Sequence, residues 1–407
     1  MSTKSRGPTK KLRYGSPQKV GMSAARLRSV VGLVRQWVDE GVAQTIEVLV
    51  VRHGTIVLHE VSGRLTSAAN SPPTPKRGIF PIASITKLLT ATALMILVEE
   101  GRVGLNRPVN TYVPEFAGEG KEGVLVRHLL THTSGLREED IEKHAQEQQG
   151  KIKIPSPEPG VHPLIQEYHS LRYAAPLWKA PGSEMSYADF NFDLTADIVR
   201  RASGIPLDRF AESRIFKPLG MKNTYYCRVD ADARRLVRRP PDPRPPGSPP
   251  NPWLDAVRAS MDTERIYDGS GFAVSTVLDL AIFGQMFLNR GVYGSSRVLS
   301  PVSVAEMTRN QIPGIGASFE GQVFPEAVWG LGWSVHGDKT GECGALYSPG
   351  SYEHWGAGGR YVWVDPDLDI VGVYLSSTVS QWGSRQWLKY WRNDLFTDAV
   401  TASVVER

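Results

Sequence analysis

The sequence predicts an α+β protein, with an antiparallel sheet flanked by terminal helices and a mainly helical lobe inserted in the middle of the chain. Residues 46–61 are rich in β-branched side chains and are interrupted by His53-Gly54, a pattern typical of a β-hairpin. Residues 361–375 repeat the pattern around Asp365-Pro366-Asp367. An amphipathic helix accompanies each strand pair. We therefore expect one sheet built from both ends of the chain, with the two helices packed on it.

Apolar residues at helical spacing indicate the two terminal helices. Toward the N-terminus this spacing runs over 27–38, where Ser23 can cap the start of the helix and Gly41 can end it. Toward the C-terminus it runs over 387–396. Each helix has one apolar face, as a helix lying on a sheet requires.

The middle of the chain shows mainly helical patterns. Residues 194–202 and 207–216 have helical spacing. Residues 88–98 form an apolar run that is too short to span a bilayer, which indicates a buried helix. Residues 237–252 are rich in proline and predict an exposed loop with polyproline character.

These patterns predict a single catalytic unit of two lobes that follows a flexible N-terminal arm. The arm covers residues 1–22, which are basic and lack an apolar pattern. The sheet lobe combines 23–83 with 270–407, and the helical lobe covers 84–269. A cleft between two lobes is a usual place for a ligand.

Composition and charge exclude several classes of partner. The chain has 407 residues, of which 41% are hydrophobic and 22% charged, as in ordinary globular proteins. A net charge of +5 over this length makes no dense basic surface, so we expect no nucleic-acid partner. We also expect no membrane span and no metal, because no His, Asp or Glu set has ligand spacing. No cofactor is indicated, and the oligomeric state stays open.

The N-terminus and the cysteines bear on the compartment. Basic residues at the start are not followed by an apolar stretch, so no secretory signal is predicted and a cytoplasmic protein is expected, with organelle targeting as the alternative. The two cysteines, Cys227 and Cys343, lack metal-ligand spacing. Two free thiols are favoured over one disulfide.

Ser84 and Lys87 are the first candidates for chemistry. They stand three residues apart at the start of the predicted buried helix, so their side chains share one face. A serine hydroxyl needs a neighbouring base to become a nucleophile. A lysine that is buried near a helix N-terminus can lose its proton more readily than in water. The spacing alone is a weak signal, because many helices begin with such a pair.

The surrounding segments strengthen this interpretation. From about residue 16 to 396 the chain resembles the serine β-lactamases and penicillin-binding proteins, in particular the class C β-lactamase-like branch with its esterases and D-aminopeptidases. The resemblance is carried by Ser84-Ile85-Thr86-Lys87, Thr131-His132-Thr133-Ser134-Gly135, Pro181-Gly182-Ser183-Glu184-Met185-Ser186-Tyr187, Phe216-Lys217-Pro218-Leu219-Gly220-Met221, Gly269-Ser270-Gly271-Phe272 and His354-Trp355-Gly356.

The resemblance implies a role for each matching residue. Ser84 is the nucleophile that forms an acyl-enzyme, and Lys87 holds and deprotonates it. Tyr187 is the general base, with the pKa of its phenol lowered by the nearby ammonium. The backbone N–H groups of Ser84 and Ala357 form the oxyanion hole. The small-molecule substrate is an ester or an amide.

Further residues of these segments are expected to support the site. His132 lies in the Thr-His-Thr-Ser-Gly loop, and we expect it to support the catalytic residues without reacting. His354 is expected to face the cleft and orient the substrate, together with Gly356. An equally weighted alternative is that His354 is a loop histidine without a functional role.

Two positions depart from the family pattern. Asp189 stands where the family usually has asparagine, and a carboxylate cannot donate the amide hydrogen bond. We expect Asp189 to pair with Lys87 or with a cationic substrate, and the spacing argues against Asn191 as a replacement. His354 stands where true β-lactamases have a lysine, and histidine is only partly cationic near neutral pH.

These departures favour an esterase or amidase that uses Ser84. The second hypothesis is a β-lactamase, D,D-carboxypeptidase or D-aminopeptidase. The third hypothesis is a binding protein that kept the fold and lost catalytic activity. It is disfavoured because Ser84, Lys87 and Tyr187 are all present.

Overall fold

The computed structural model describes residues 11–238, 252–319, 322–336, 344–378 and 391–406. The strands, in chain order, are β1 Arg13–Tyr14, β2 Thr45–Arg52, β3 Thr55–Gly63, β4 Phe80–Pro81, β5 Val274–Ser275, β6 Val292–Tyr293, β7 Ser296–Arg297, β8 Ala317–Phe319, β9 Gln322–Phe324, β10 Ser334–Val335, β11 Tyr352–Gly356, β12 Arg360–Asp365 and β13 Ile370–Ser376.

The helices surround these strands. In chain order they are α1 Ala24–Asp39, α2 Thr86–Glu99, α3 Val126–Leu130, α4 Glu138–Gln148, α5 Pro163–Arg172, α6 Phe190–Ser203, α7 Leu207–Ala211, α8 Lys217–Leu219, α9 Pro252–Ser260, α10 Val277–Leu288, α11 Pro301–Met307 and α12 Asn393–Thr401. None of the described helices is both long and apolar enough to cross a membrane.

A seven-stranded sheet in the order β1-β3-β2-β13-β12-β11-β10 joins the two ends of the chain. The β2–β3 hairpin turns at His53 and Gly54, whose φ angles of 49° and 71° fit the tight turn that this dipeptide predicts. Antiparallel pairing of β2 with β13, from Ile370 opposite Arg52 to Ser376 opposite Ile46, connects the N-terminal and C-terminal strand pairs. The predicted hairpins and the shared sheet are confirmed.

Residues 11–22 differ from the expected flexible arm. Arg13 and Tyr14 form β1, which pairs in parallel with Thr55 and Ile56 of β3. The sheet is therefore antiparallel except at this edge. Two residues are too few to show a strand period, so the sequence pattern contained no signal for β1.

The two faces of the sheet bury different helices. Trp37 of α1 and Phe396 of α12 pack in one apolar cluster with Trp363 and Tyr374. The alternate residues of β13, such as Val373, belong to the larger cluster that contains α2 and α10. Ser23 caps α1 by accepting a hydrogen bond from the Arg26 N–H at 3.3 Å, as predicted.

The helical patterns of the middle segment are largely confirmed. Residues Thr86 to Leu97 of α2 are buried on every side, which explains the unbroken apolar run. Helix α6 covers the predicted segment 194–202, whereas the segment 207–216 is α7 followed by a π-helical turn over Glu212–Phe216. The lobe boundaries stay a prediction.

Two predictions fall partly outside the described residues. Of the proline-rich stretch, 239–251 lies outside them, as does 387–390 of the predicted C-terminal helix, where α12 begins at Asn393. Cys227 is a buried free thiol, and Cys343 lies outside the described ranges, so the state of the cysteine pair stays a prediction.

Candidate active site

Ser84 lies on a 3-10 turn, Ala83–Ile85, that leads directly into α2. Ala83 has a φ of 48°, a left-handed conformation that non-glycine residues rarely adopt and that often accompanies functional sites. The turn is held by hydrogen bonds from the Ile82 N–H to Ala273 O at 2.9 Å and from Thr86 Oγ1 to Ala83 O at 2.6 Å. Ser84 is therefore fixed where the sheet meets the helices.

Lys87 is one helical turn beyond Ser84, as the spacing predicts, and it is fully buried. Its Nζ donates to Ser84 Oγ at 3.2 Å, to the Ser270 carbonyl at 3.0 Å and to Asp189 Oδ1 at 2.7 Å. The structure thus brings together residues that are 102 and 183 positions away from Lys87 in sequence.

The expectation that Lys87 loses its proton more readily than in water is wrong for this arrangement, although burial does act in the expected direction. Burial alone lowers the pKa of Lys87, but the negative charge of Asp189 and hydrogen bonding to Asp189 and Tyr187 raise that pKa above the usual range. Lys87 is consequently an ammonium in the resting protein.

Tyr187 lies beside this ammonium, with Lys87 Nζ 4.9 Å from the centre of the phenol ring. The expected lowering of its pKa is also wrong. Burial raises the pKa of Tyr187 above its usual value, and this effect exceeds the opposing charge of Lys87 and the hydrogen bonds to Ser84 and Lys87. The resting site therefore contains a neutral phenol and a charged amine.

Asp189 precedes α6, and its side chain is about half exposed although its partner Lys87 is buried. The predicted pairing with Lys87 is present. Asn191 is buried and turns away from Lys87: its Oδ1 accepts from Ser134 Oγ at 2.7 Å, and its Nδ2 lies 3.4 Å from His132 Nδ1. Asn191 therefore does not replace the usual asparagine, as its spacing predicted.

Glu138 is a residue that the sequence analysis missed. Its Oε2 accepts the Asp189 N–H at 2.9 Å, so its carboxyl group lies against the backbone of Asp189. Burial and the charges of Asp189 and Glu142 raise the pKa of Glu138 to about 8. Glu138 begins α4, where an acidic residue is expected for helix stability alone, so its position gave no functional signal.

Asp268 was also missed, and it shapes the loop behind Lys87. It accepts the backbone N–H groups of Ser270, Gly271 and Phe272 at 3.2, 2.8 and 2.9 Å. This arrangement directs the Ser270 carbonyl at Lys87. Asp193 accepts the neighbouring Gly269 N–H at 3.1 Å, and burial together with the charges of Asp268 and Asp189 raises the pKa of Asp193 well above its usual range.

His354 lies on β11 beside the site but does not face an open cleft, because its side chain is fully buried. Its Nδ1 is 2.7 Å from the Trp355 carbonyl, which only accepts, so Nδ1 carries the proton. Burial, together with the charge of Lys87, lowers the pKa of His354 to about 3. The imidazole is therefore neutral, and the role of His354 in orienting the substrate stays a prediction.

Gly356 brings the end of β11 against the Ser84 turn. A Cβ at this position would lie 2.5 Å from Ile82 O and 3.2 Å from the Ala83 Cβ, so only glycine fits. The next residue, Ala357, is thereby placed beside the turn, and the buried Arg360 ties the two together through hydrogen bonds to Ala357 O and Pro81 O. The oxyanion hole of Ser84 N–H and Ala357 N–H stays a prediction.

His132 is buried behind Tyr187, with the two rings stacked at 4.3 Å between centres. This location agrees with the expected supporting role. Within the described ranges, no group of three or more His, Cys, Asp or Glu side chains is arranged to hold a metal ion.

Comparison with known proteins places this geometry in a family. A family model described as beta-lactamase matches residues 32–391. A Salmonella agona protein with the provisional name D-alanyl-D-alanine carboxypeptidase is 26% identical over 400 residues, covering 90% of this chain and 86% of that protein.

Solved structures share the fold. A family VIII carboxylesterase superposes with a TM-score of 0.67 at 19% identity, covering 92% of this chain and 98% of the other. A D-amino acid amidase from Ochrobactrum anthropi SV3 superposes with a TM-score of 0.66 at 22% identity, covering 93% of this chain and 98% of the amidase. The predicted α+β fold and the predicted enzyme class, a serine hydrolase, are confirmed, and the chain belongs to the beta-lactamase family.

Proposed function

We propose that the protein hydrolyses small esters or amides through an acyl-enzyme on Ser84. The observation that carries the proposal is the contact of Lys87 Nζ with Ser84 Oγ at 3.2 Å, with the Tyr187 ring stacked alongside the same amine. Ser84 Oγ forms a bond to the substrate carbonyl carbon while its proton passes to the Tyr187–Lys87 pair. That proton then goes to the leaving alcohol or amine, and water later releases the acyl group by the reverse path.

The protonation states set a condition on this reaction. With Lys87 as an ammonium and Tyr187 as a phenol, neither group accepts a proton in the resting protein. One proton must leave the pair, either to solvent or as substrate binding displaces the Asp189 carboxylate. We therefore expect activity to rise toward alkaline pH.

A second candidate within the same chemistry is hydrolysis of substrates with a positively charged amine. The half-exposed Asp189 carboxylate presents negative charge beside Lys87 and Ser84. An ammonium on the substrate would be attracted to this carboxylate, and it would also weaken the Asp189–Lys87 pair. The D-amino acid amidase neighbour has the same fold and acts on substrates of this class by name.

Turnover of β-lactams and of peptides with a free carboxylate is disfavoured by the same residues. A substrate carboxylate would meet Asp189, and the neutral His354 supplies no positive charge in compensation. The family name and the carboxypeptidase name of the relative therefore do not define the substrate.

A panel of four substrates tests these alternatives. We expect turnover of p-nitrophenyl butyrate and little turnover of a chromogenic cephalosporin. D-phenylalanine p-nitroanilide with its amine free should be preferred over its N-acetyl form if Asp189 binds an ammonium. Faster turnover of the cephalosporin than of the ester would contradict the esterase or amidase assignment, and an equal rate for the two anilides would remove the amine preference.

The variant Asp189→Asn should shift the pH profile of ester hydrolysis toward acid. Asp189 is the principal group that raises the pKa of Lys87, whereas burial lowers it. Without the carboxylate the pKa of Lys87 falls, so the neutral amine is populated at lower pH. The limb of the kcat/KM profile that rises with pH therefore moves to lower pH. The measurement is kcat/KM between about pH 6 and pH 11, a range that extends above the usual pKa of about 10 for lysine and tyrosine side chains. An unmoved limb would show that Asp189 does not control the proton on Lys87.

The variant Asp208→Asn is a suitable control for the loss of one carboxylate. Asp208 is buried and pairs with Arg265, away from Lys87. Its replacement should lower the stability of the fold and leave the pH at which kcat/KM rises unchanged.

A further inference from the structure

We propose that His132 is a positioning residue that fixes the hydroxyl of Tyr187 for catalysis. The inference rests on the proposed role of Tyr187 as general base. His132 holds the backbone on both sides of that tyrosine. Its carbonyl accepts the Ser186 N–H at 2.8 Å, and its Nδ1 accepts the Ala188 N–H at 3.2 Å.

The side chain adds a third contact. The imidazole stacks on the phenol ring at 4.3 Å between centres and an angle of 26°. On its other sides the imidazole is enclosed by Phe192 at 5.2 Å and by the edge of Trp329 at 5.4 Å. Packing and hydrogen bonds therefore hold both the backbone and the ring plane of Tyr187, which keeps its hydroxyl beside Ser84 and Lys87.

The neutral form of the ring is essential to this arrangement. Nδ1 accepts hydrogen bonds from the Ala188 N–H and lies 3.4 Å from the Asn191 amide nitrogen, so the proton of the imidazole is on Nε2. Burial, with the charge of Lys87, lowers the pKa of His132 well below its usual range. A protonated ring would lose the Ala188 bond and place a second cation near Lys87.

The backbone of His132 shows that the position is specialised. Its φ is 55°, in the left-handed region, where most side chains are strained. Ser134 holds Asn191 against the ring through the 2.7 Å bond to Asn191 Oδ1. The histidine of the Thr-His-Thr-Ser-Gly loop is thus built into a rigid support for the tyrosine. Its ring is buried, which excludes direct contact with substrate in this conformation.

A double-mutant cycle tests the inference with p-nitrophenyl butyrate as substrate. His132→Ala should lower kcat by about 10- to 100-fold, the effect of misplacing a catalytic group by about 1 Å, with little change in KM. In the Tyr187→Phe background the same change should lower the residual kcat by less than about twofold, because no hydroxyl is left to position. Additive losses would overturn the inference.

His132→Asn keeps the measurement informative if the alanine variant does not fold. Asparagine tolerates the left-handed backbone and offers an oxygen to the Ala188 N–H, but it cannot stack on Tyr187. We expect its kcat between those of the wild type and the alanine variant. A kcat equal to that of the wild type, together with an unchanged pH profile, would overturn a role for the ring.

His128→Ala is the matched control. His128 lies in the preceding helix α3, where its Nδ1 accepts the Leu125 N–H at 3.2 Å, and it belongs to no part of the proposed machinery. Its replacement should lower the melting temperature without changing kcat. If Tyr187→Phe itself has normal turnover, the proposed base is wrong. If Tyr187→Phe is impaired while His132→Ala is not, only the positioning role is wrong.

Discussion

Replacing Ser84 with alanine should reduce kcat for p-nitrophenyl butyrate by about 10⁶-fold, the order seen when a catalytic serine is removed. The chemical reason is that the variant lacks the hydroxyl that we propose to form the acyl-enzyme. Lys87 keeps its hydrogen bonds to Asp189 and to the Ser270 carbonyl, so the loss of one bond to Ser84 should destabilise the fold by only about 1 kcal/mol.

The measurement is the steady-state rate, supported by mass spectrometry of the protein after mixing with the ester. The wild type should gain the mass of the acyl group on the peptide that contains Ser84, and the variant should not. Ser183→Ala is the control, because Ser183 is exposed and bonds only to the Ala180 carbonyl. Residual ester turnover within about tenfold of the wild type would place the nucleophile elsewhere.

Replacing Tyr187 with phenylalanine should lower kcat by about 10²- to 10⁴-fold, the usual contribution of a general base. The ring remains, so its stacking on His132 and its contact with Lys87 are kept. Only the hydroxyl that we propose to pass the Ser84 proton to Lys87 is lost. The variant should therefore bind substrate normally and acylate slowly.

Single-turnover measurements separate these two properties. The rate of the first release of p-nitrophenol should fall, while the concentration dependence of that rate should change little. Tyr225→Phe is the control, since the hydroxyl of Tyr225 bonds the Lys222 carbonyl outside the site. Normal acylation in the Tyr187 variant would leave Lys87 as the base by itself, which its raised pKa makes unfavourable.

The sheet and the terminal helices could be predicted because their signals are local. A run of β-branched residues, a His-Gly turn and a serine cap each depend on residues close together in sequence. Ser84 and Lys87 could be paired for the same reason, since residues three apart share a helix face. Strand β1 could not be predicted, because a two-residue edge strand has no period.

The electrostatics of the site could not be predicted because they arise from distant segments. The charge on Lys87 depends on Asp189, which approaches from the start of α6, and the raised pKa of Tyr187 depends on its depth of burial. The spacing of residues in the sequence indicates neither how deeply Tyr187 is buried nor that Asp189 approaches Lys87. The burial of His354 has the same origin, since its place on β11 is set by pairing with β12.

The pairing of β2 with β13 has a consequence for biosynthesis. β2 emerges from the ribosome long before its partner β13, because β2 directly follows α1 and the whole helical segment lies between the two strands. Until then β2 has an unpaired edge, which is a template for association with other chains. The turn that holds Ser84 is likewise incomplete until Arg360 of β12 arrives to tie it down. The geometry around Ser84 therefore cannot be complete before β12 has been synthesised, and a chain that is cut short before β12 lacks both the closed sheet and the contacts of Arg360.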